Sequence, residues 1–537
     1  MKARLASRPS AIIGAALGLL AFFMAALLTN HGLVDSTLPA GPGLTLDESF
    51  NITQGVYLAD AITRHGPLLF TPTVAKEVFQ DPEYLPDHPP LARIQIGLAH
   101  EFLNWAIPGS ERAAFNVPAA RLGSCLAFGL MTTLLFRMAA IHFGTAAATL
   151  TALLTIASPR MIGHARLASL ESGTSLAWVI ALIPLLKYWT RDSAPTVRQA
   201  AVGGLCWGIL LLTKIQAVLL APAVIIWALA RFRQRAVLPL GVWGFTGFAM
   251  LLIGWPWLWE NPVENLLQYL GRTTDRLTLY CWYLDTRYAD RAVPWHFPSV
   301  MLISTLSPWT LLGLALRFRS EKLQPTEQLL ILTSIVPLLI FSVPGVPVYD
   351  GIRLFLVSLP GLCLIAARGF AAFVEAPARR HPKSSKRRFV AVLFSLILLP
   401  LPWSMQPFAI NQYGPLCGGN RGAAALGLES GFWADALNGD FWAQVPSGST
   451  LFVAPVSHQF QLDWLKLLVP AIKERKIQLL PWEYDAKKQP GPLLLIHRLA
   501  DLRPELQRPR PDERQIAAAA LSGVLLARVV ETAPTAP

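Results

Sequence analysis

The feature that most constrains this chain is the recurrence of apolar runs long enough to cross a lipid bilayer. They begin near Ala11, Val117, Phe143, Ser172, Ala200, Ile215, Val237, Phe297, Leu329, Leu354 and Phe389. A spanning helix needs roughly 20 mainly apolar residues, so these runs predict about eleven crossings. With 53% of its 537 residues hydrophobic and only 15% charged, the chain is too apolar for a soluble protein of this length. The fold class is a polytopic α-helical membrane protein.

Charge placement tests that count. The net charge is +13, and in a membrane protein such an excess marks cytoplasmic loops rather than nucleic-acid binding. With the N-terminus inside, the inner loops carry Arg137 and His142; Lys187, Arg191 and Arg198; Arg231, Arg233 and Arg235; Arg317, Arg319 and Lys322; and the basic run from Arg379 to Arg388. Each is basic, as the positive-inside rule requires. Lys2, Arg4 and Arg8 precede the apolar run Ala11 to Leu28, which is long for a signal peptide and reads as an uncleaved first helix. Leu91 to Ile107 carries Arg93, Gln95, His100, Glu101 and Asn104, which suits an interfacial helix rather than a crossing. Ala200 to Ala230 reads as a hairpin with Lys214 at its outer tip, because a single crossing would put Arg231 to Arg235 outside.

This topology gathers four regions on the outer face: the loop 29–116, the connection Ser158 to Glu171, the loop Trp255 to His296, and the chain after about Trp403. Trp255-Pro-Trp-Leu-Trp-Glu260 reads as an interfacial tryptophan belt. The expected division is a membrane domain, 1–403, and a more polar C-terminal domain, 404–537. In the latter, Thr450 to Val453, Leu493 to His497 and Val524 to Val530 look like strands, whereas Gln461 to Lys476 and Arg514 to Leu521 look helical, together a small α/β unit. No internal repeat suggests an inverted-repeat transporter.

Once the inner loops are set aside, the remaining ionisable residues collect near the outer helix ends: Asp47, Glu48, His88, Arg121, Arg166, Glu171, Lys214, Asp350 and Arg353. Any one of them has a structural explanation, as a snorkelling cation, a helix cap or a turn, and a salt-bridge network would account for the set. Their convergence suits group transfer from a phosphate-bearing lipid. A carboxylate such as Asp47 can take the proton of an acceptor hydroxyl, and arginine or lysine can receive a departing phosphate. No P-loop, dinucleotide fingerprint or HExxH motif is present. The five cysteines have no metal spacing; Cys281 and Cys417 would pair only if both their loops faced an oxidising compartment. The sequon Asn51-Ile-Thr53 is read as incidental.

Several of these segments resemble one family. Asp47-Glu48 in the first outer loop and His88-Pro-Pro-Leu91 are similar to the signature of the protein O-mannosyltransferase and aminoarabinose-transferase-like group of the GT-C glycosyltransferase superfamily. Ala119-Ala-Arg-Leu-Gly123, His164-Ala-Arg-Leu-Ala-Ser-Leu-Glu171, Leu211-Leu-Thr-Lys214 and Tyr349-Asp-Gly-Ile-Arg353 resemble later family segments in order, although the family has aspartate where this chain has Glu171. The resemblance implies a GT-C fold with juxtamembrane helices in the first outer loop. It implies inverting transfer of one sugar from a polyprenyl-phosphate donor to a hydroxyl of protein, lipid or glycan on the outer face of the membrane; the compact inner loops fit a bacterial inner membrane. Carried over by position, Asp47 is the general base or acceptor-positioning acid, and Glu48 assists it or holds the loop. Arg121, Lys214 and Arg353 meet the phosphate, His88 and Arg166 help, and Glu171 contacts sugar or acceptor. Asp47, Arg121, Glu171 and Arg353 are then expected to line one cavity. Divalent-cation use differs among such transferases, and one acid pair beside a histidine does not define a metal site. A transporter or flippase, and a sugar-lipid-binding protein without catalysis, are the competing readings.

Overall fold

The computed structural model describes residues 8–27, 29, 41–106, 116–274, 278–319, 322–378, 407–456, 459–482, 493–500, 502 and 513–531. Every apolar run from Ala11 to Leu354 forms helix. After α1 (Arg8–Ala26), the first loop carries α2 (Leu46–His65), α3 (Pro72–Phe79) and α4 (Leu91–Ala106). Then come α5 (Val117–Phe143), α6 (Thr145–Ile156), α7 (Pro159–Ala165), α8 (Leu170–Pro184), α9 (Val197–Leu211), α10 (Leu220–Phe232) and α11 (Val237–Gly254). The next loop holds α12 (Pro262–Thr274) and a hairpin of β1 (Tyr280–Tyr283) with β2 (Thr286–Ala289), and α13 (Phe297–Thr305), α14 (Pro308–Phe318), α15 (Pro325–Phe341) and α16 (Leu359–Ala378) complete the bundle.

Among the described residues, five helical stretches are long and apolar enough to cross a membrane, or seven when the bent pairs α6–α7 (66°) and α13–α14 (110°) each count as one. The stretch Ile215–Gly254 holds both α10 and α11, which part at Arg233, where φ is 54°. The remaining expected crossings are the short apolar helices α9 and α15. The run at Phe389 and the basic stretch 379–388 lie outside the described residues.

Chain direction alternates between two ends of the bundle. Arg231, at the foot of α10, bonds Asp192 at 2.9 Å and the Arg191 carbonyl at 3.0 Å, so the two arginine-rich connections share one end. At the other end, Lys214 reaches Glu171 at the start of α8. The hairpin with Lys214 at its tip is therefore present. At the basic end Arg317 pairs with the buried Glu327, and Arg368 lies over Phe143. The N-terminal half of α1 sits beside Phe136 of α5, toward this same end.

α4 is a 16-residue helix that packs across α2 and α5 at the site end, with Arg93 and His100 buried. The tryptophan cluster departs from the expected belt: Trp255 and Trp257 are buried, and the Trp255 indole donates to the Tyr84 hydroxyl at 2.8 Å. An indole whose N–H finds an internal acceptor packs as core. Cys281 and Cys417 are free thiols.

The C-terminal sheet contains β3 (Thr450–Ala454), β4 (Gln478–Pro481), β5 (Leu493–Ile496), β6 (Arg514–Leu521) and β7 (Val524–Glu531), in the order β4-β3-β5-β7-β6. β3 lies parallel to β4 and β5, and β7 is antiparallel to β5 and β6. Arg514 to Leu521 is thus a strand, not the expected helix. Ala517, Ala519 and Leu521 alternate inward, and Ser522-Gly523, both at positive φ, turn the chain straight back into β7. The sheet shares a core with the first loop: Leu44, Ile52 and Ala92 pack in one cluster with Phe441, Leu451 and Val453. Asn438 donates to the Gly41 carbonyl, and the Gly43 N–H to that of Asp435.

Candidate active site

The site begins at the N-terminus of α2. Thr45 is its N-cap, and Glu48, in the first turn, accepts the Thr45 N–H at 2.9 Å. Carboxylates are favoured here by the helix dipole. Neighbours on a helix point roughly 100° apart, and the acid pair divides accordingly. Glu48 turns inward, where its oxygens accept from Arg121 Nε (2.7 Å), Arg121 Nη2 (2.8 Å) and the Ala168 N–H (2.7 Å). Arg121 spends its other donors on the carbonyls of Pro42 and Gly43. Both side chains are fully buried. Arg121 therefore does not line the expected cavity: its guanidinium is consumed in fastening the loop before α2 to α5. Of the two roles expected for Glu48, the geometry is that of holding the loop.

Asp47 turns the other way, into a cavity of about 580 Å³ that also exposes His88, Arg93, Asp350 and Arg353. Its carboxylate accepts from Arg353 Nη2 at 2.6 Å and remains 40% exposed, the most open of the acids around Arg353. Desolvation by the surrounding walls raises the Asp47 carboxyl above the usual value, and Arg353 opposes that rise.

Arg353 is the hub. Nε binds Glu171 at 2.9 Å, Nη1 binds Asp350 at 2.7 Å, and the guanidinium lies 4.2 Å from the centre of the Trp433 ring. Asp350 and Gly351, at φ 56° and 60°, form the tight turn that aims Arg353 back at Asp47. Behind the hub, Lys214 holds Glu171 at 2.5 Å; both are buried, and neither lines the cavity. Arg166 is fully buried and also stands off it. His88 does line it. Burial pushes its imidazole down to about 3, with Asp87 resisting and Arg93, Lys214 and Arg353 assisting, so the ring is neutral at ordinary pH.

The structure adds residues that sequence reasoning missed. Arg93 grips Asp87 with two nitrogens, at 2.5 and 3.0 Å. Arg498, just beyond β5, reaches Asp350 at 3.0 Å and Glu429 at 3.2 Å. Arg287, from the β hairpin, stacks 3.4 Å over Tyr280 and donates to the Ala500 carbonyl. Arg498 carried no signal, being one of many arginines in a polar domain. Asp350 was among the outer ionisable residues of the sequence but had no role assigned to it. Among the described residues no group of three or more His, Cys, Asp or Glu is placed to hold a metal ion.

A multi-pass helical bundle that gathers an open acid and several cations above its helix ends is thereby defined. Residues 102–259 match the family described as dolichyl-phosphate-mannose-protein mannosyltransferase, and over that segment the chain is similar to it. This agrees with the resemblance carried by the motifs; the matched segment contains Arg121, Glu171 and Lys214, while Asp47 and His88 precede it. No curated protein matches the chain in sequence. Similar solved structures include ArnT from Cupriavidus metallidurans bound to undecaprenyl phosphate (TM-score 0.45, 15% identity, covering 99% of this chain and 100% of that one). The same protein in the apo state has TM-score 0.47 and 14% identity, covering 97% and 98%. The archaeal oligosaccharyltransferase AglB from Archaeoglobus fulgidus, in complex with an inhibitory peptide and a dolichol-phosphate, has TM-score 0.44 and 11% identity, covering 85% and 63%.

Proposed function

We propose that this chain is a membrane glycosyltransferase that moves a single sugar, with inversion, from a polyprenyl-phosphate donor to an acceptor hydroxyl. The observation that carries the reading is Asp47: an acid still open to the cavity, held against Arg353, whose other nitrogens are taken by Glu171 and Asp350. The acceptor oxygen attacks the anomeric carbon, its proton passes to Asp47, and the carbon–oxygen bond to phosphate breaks with its electron pair leaving on the phosphate. Arg353, with Arg93 and Arg287 on the same cavity, supplies the positive field for that leaving group. Lys214 acts one step back, by fixing Glu171 against Arg353. The helices hold the lipid tail. The basic end of the bundle faces the cytoplasm of a bacterial inner membrane, and the site end faces out.

Purified protein incubated with a panel of polyprenyl-phosphate sugars should consume one of them. Asp47→Asn should cut that turnover by about 10²–10⁴-fold, the usual contribution of a general base, while the protein still inserts and melts normally. Near-normal turnover by Asp47→Asn would remove Asp47 from the role.

A further inference from the structure

The cavity has two walls of different origin. One belongs to the helical part and presents Asp47, His88, Asp350 and Arg353. The other is built by the C-terminal sheet, whose three parallel strands all end at the cavity. Trp482 follows β4, Pro455 and Val456 follow β3, and Arg498 follows β5. Ligands of open α/β sheets bind in the crevice beyond the carboxyl ends of the strands. This sheet points that edge at the proposed catalytic acid rather than at solvent.

We propose that the strand-end wall is the acceptor subsite, and that the acceptor it takes is a saccharide whose ring lies on Trp482. The inference rests on the transferase reading and names the second substrate of the same site. A donor with its tail in the bilayer enters from the helical wall, which leaves the sheet wall to the acceptor. The chemistry of that wall decides the class. Trp482 offers a half-buried indole, and Gln461, on the helix Gln459–Leu468, an amide with both donors and acceptor. A pyranose has an apolar face of C–H groups, which suits the negative face of an indole, and a rim of hydroxyls, which suits an amide. Tyr280 and Trp433 also line the cavity, each with an arginine over its ring, which leaves Trp482 as the stacking surface. A cavity of about 580 Å³ suits compact rings better than a length of polypeptide. Arg498 ties this wall to the catalytic hub, because the Asp350 carboxylate it binds with one oxygen binds Arg353 with the other.

The test uses the full chain, with methyl pyranosides and a serine-containing peptide as probes of the subsite and undecaprenyl phosphate as probe of the donor side. Saturation-transfer NMR should show a methyl pyranoside bound by the wild type, and Trp482→Ala and Gln461→Ala should each weaken it about ten-fold or more, as loss of an anchor does. Thermal stabilisation by undecaprenyl phosphate should be the same in all three proteins. With a donor that the wild type consumes, both variants should raise the acceptor KM and leave the donor KM unchanged. The proposal is overturned if no pyranoside binds the wild type, if the peptide binds in its place, or if Trp482→Ala also abolishes the undecaprenyl phosphate response. A chain that binds a pyranoside through Trp482 yet consumes no donor keeps the subsite and refutes the transferase reading.

Discussion

Adjacent acids in α2 do opposite work, and that division shows what one residue can be asked. Glu48 and Arg121 are a fully buried pair whose every strong bond is internal. Removing one partner strands the other charge, which typically costs about 3–5 kcal/mol. Glu48→Gln should therefore lower the melting temperature sharply, whatever the substrate, in a thermal melt of detergent-purified protein. Asp47→Asn should not, since its side chain is part-exposed. For Asp47 the signature is kinetic. Its carboxyl is raised by desolvation and restrained by Arg353. A general base works only when deprotonated, so the acid limb of kcat/KM should lie above the range of an ordinary aspartate. Arg353→Gln withdraws the restraining cation and should move that limb to higher pH, besides slowing turnover by about 10²–10³-fold. A limb that stays put would show that some other group controls it. The sequence made Asp47 legible because an acid beside a bilayer needs a reason. Only the family resemblance divided Asp47 from Glu48; residue type could not, since which face of α2 is buried depends on α5, more than fifty residues away in the chain (Arg121 against Glu48). Nor could residue type show that Arg121, a phosphate ligand by position, already gives four of its five N–H donors to Glu48, Pro42 and Gly43.

At the scale of elements, helix packing aims these groups. α2 and α4 cross where Gly55 meets Gly97, so closely that a Cβ on Gly97 would run into the Gly55 carbonyl oxygen. That contact fixes the distance between the Asp47 helix and the helix that follows His88-Pro-Pro. Gly97→Ala should cost about 1–3 kcal/mol by overpacking, and the displaced acid should lose turnover as well. Gly241→Ala on α11, where nothing lies within 4 Å of the added carbon, is the matched control and should be silent in both assays. Elements with strong periodicity were legible: α5, α8, β3, β5 and β7 fall where hydropathy puts them. β6 was not. Arg-Gln-Ile-Ala-Ala-Ala-Ala-Leu has the local preference of a helix, and only pairing with β7 across the Ser522-Gly523 turn makes it a strand. The hairpin β1–β2 was hidden for a related reason: its turn uses Leu284 and Asp285 at φ 52° and 58° instead of the expected glycine or asparagine.

Across the whole molecule, the positive charge and the open acid occupy opposite ends. The arginine connections around Arg191 and Arg231 touch one another, while Asp47, Lys214 and Arg353 meet at the far end beneath the sheet. The alternation of helices alone creates that polarity, and the charge of the loops expresses it in the sequence. It carries a prediction about both relative and absolute placement. In a background with Cys206 and Cys417 replaced by serine, single cysteines at the exposed positions Ser193 and Gln234 mark the basic end. Cysteines at the exposed Glu83 and Asp440 mark the site end. A membrane-impermeant maleimide added to intact spheroplasts should label the Glu83 and Asp440 variants, and should label the Ser193 and Gln234 variants only after permeabilisation, because basic loops stay on the cytoplasmic side. Full reversal of the pattern would keep the bundle and turn the site toward the cytoplasm, removing the outer-face chemistry proposed for it. A mixed pattern, with Gln234 labelled alongside Glu83, would separate the two arginine connections and contradict the packing of Arg231 on Asp192 from which the two ends were traced.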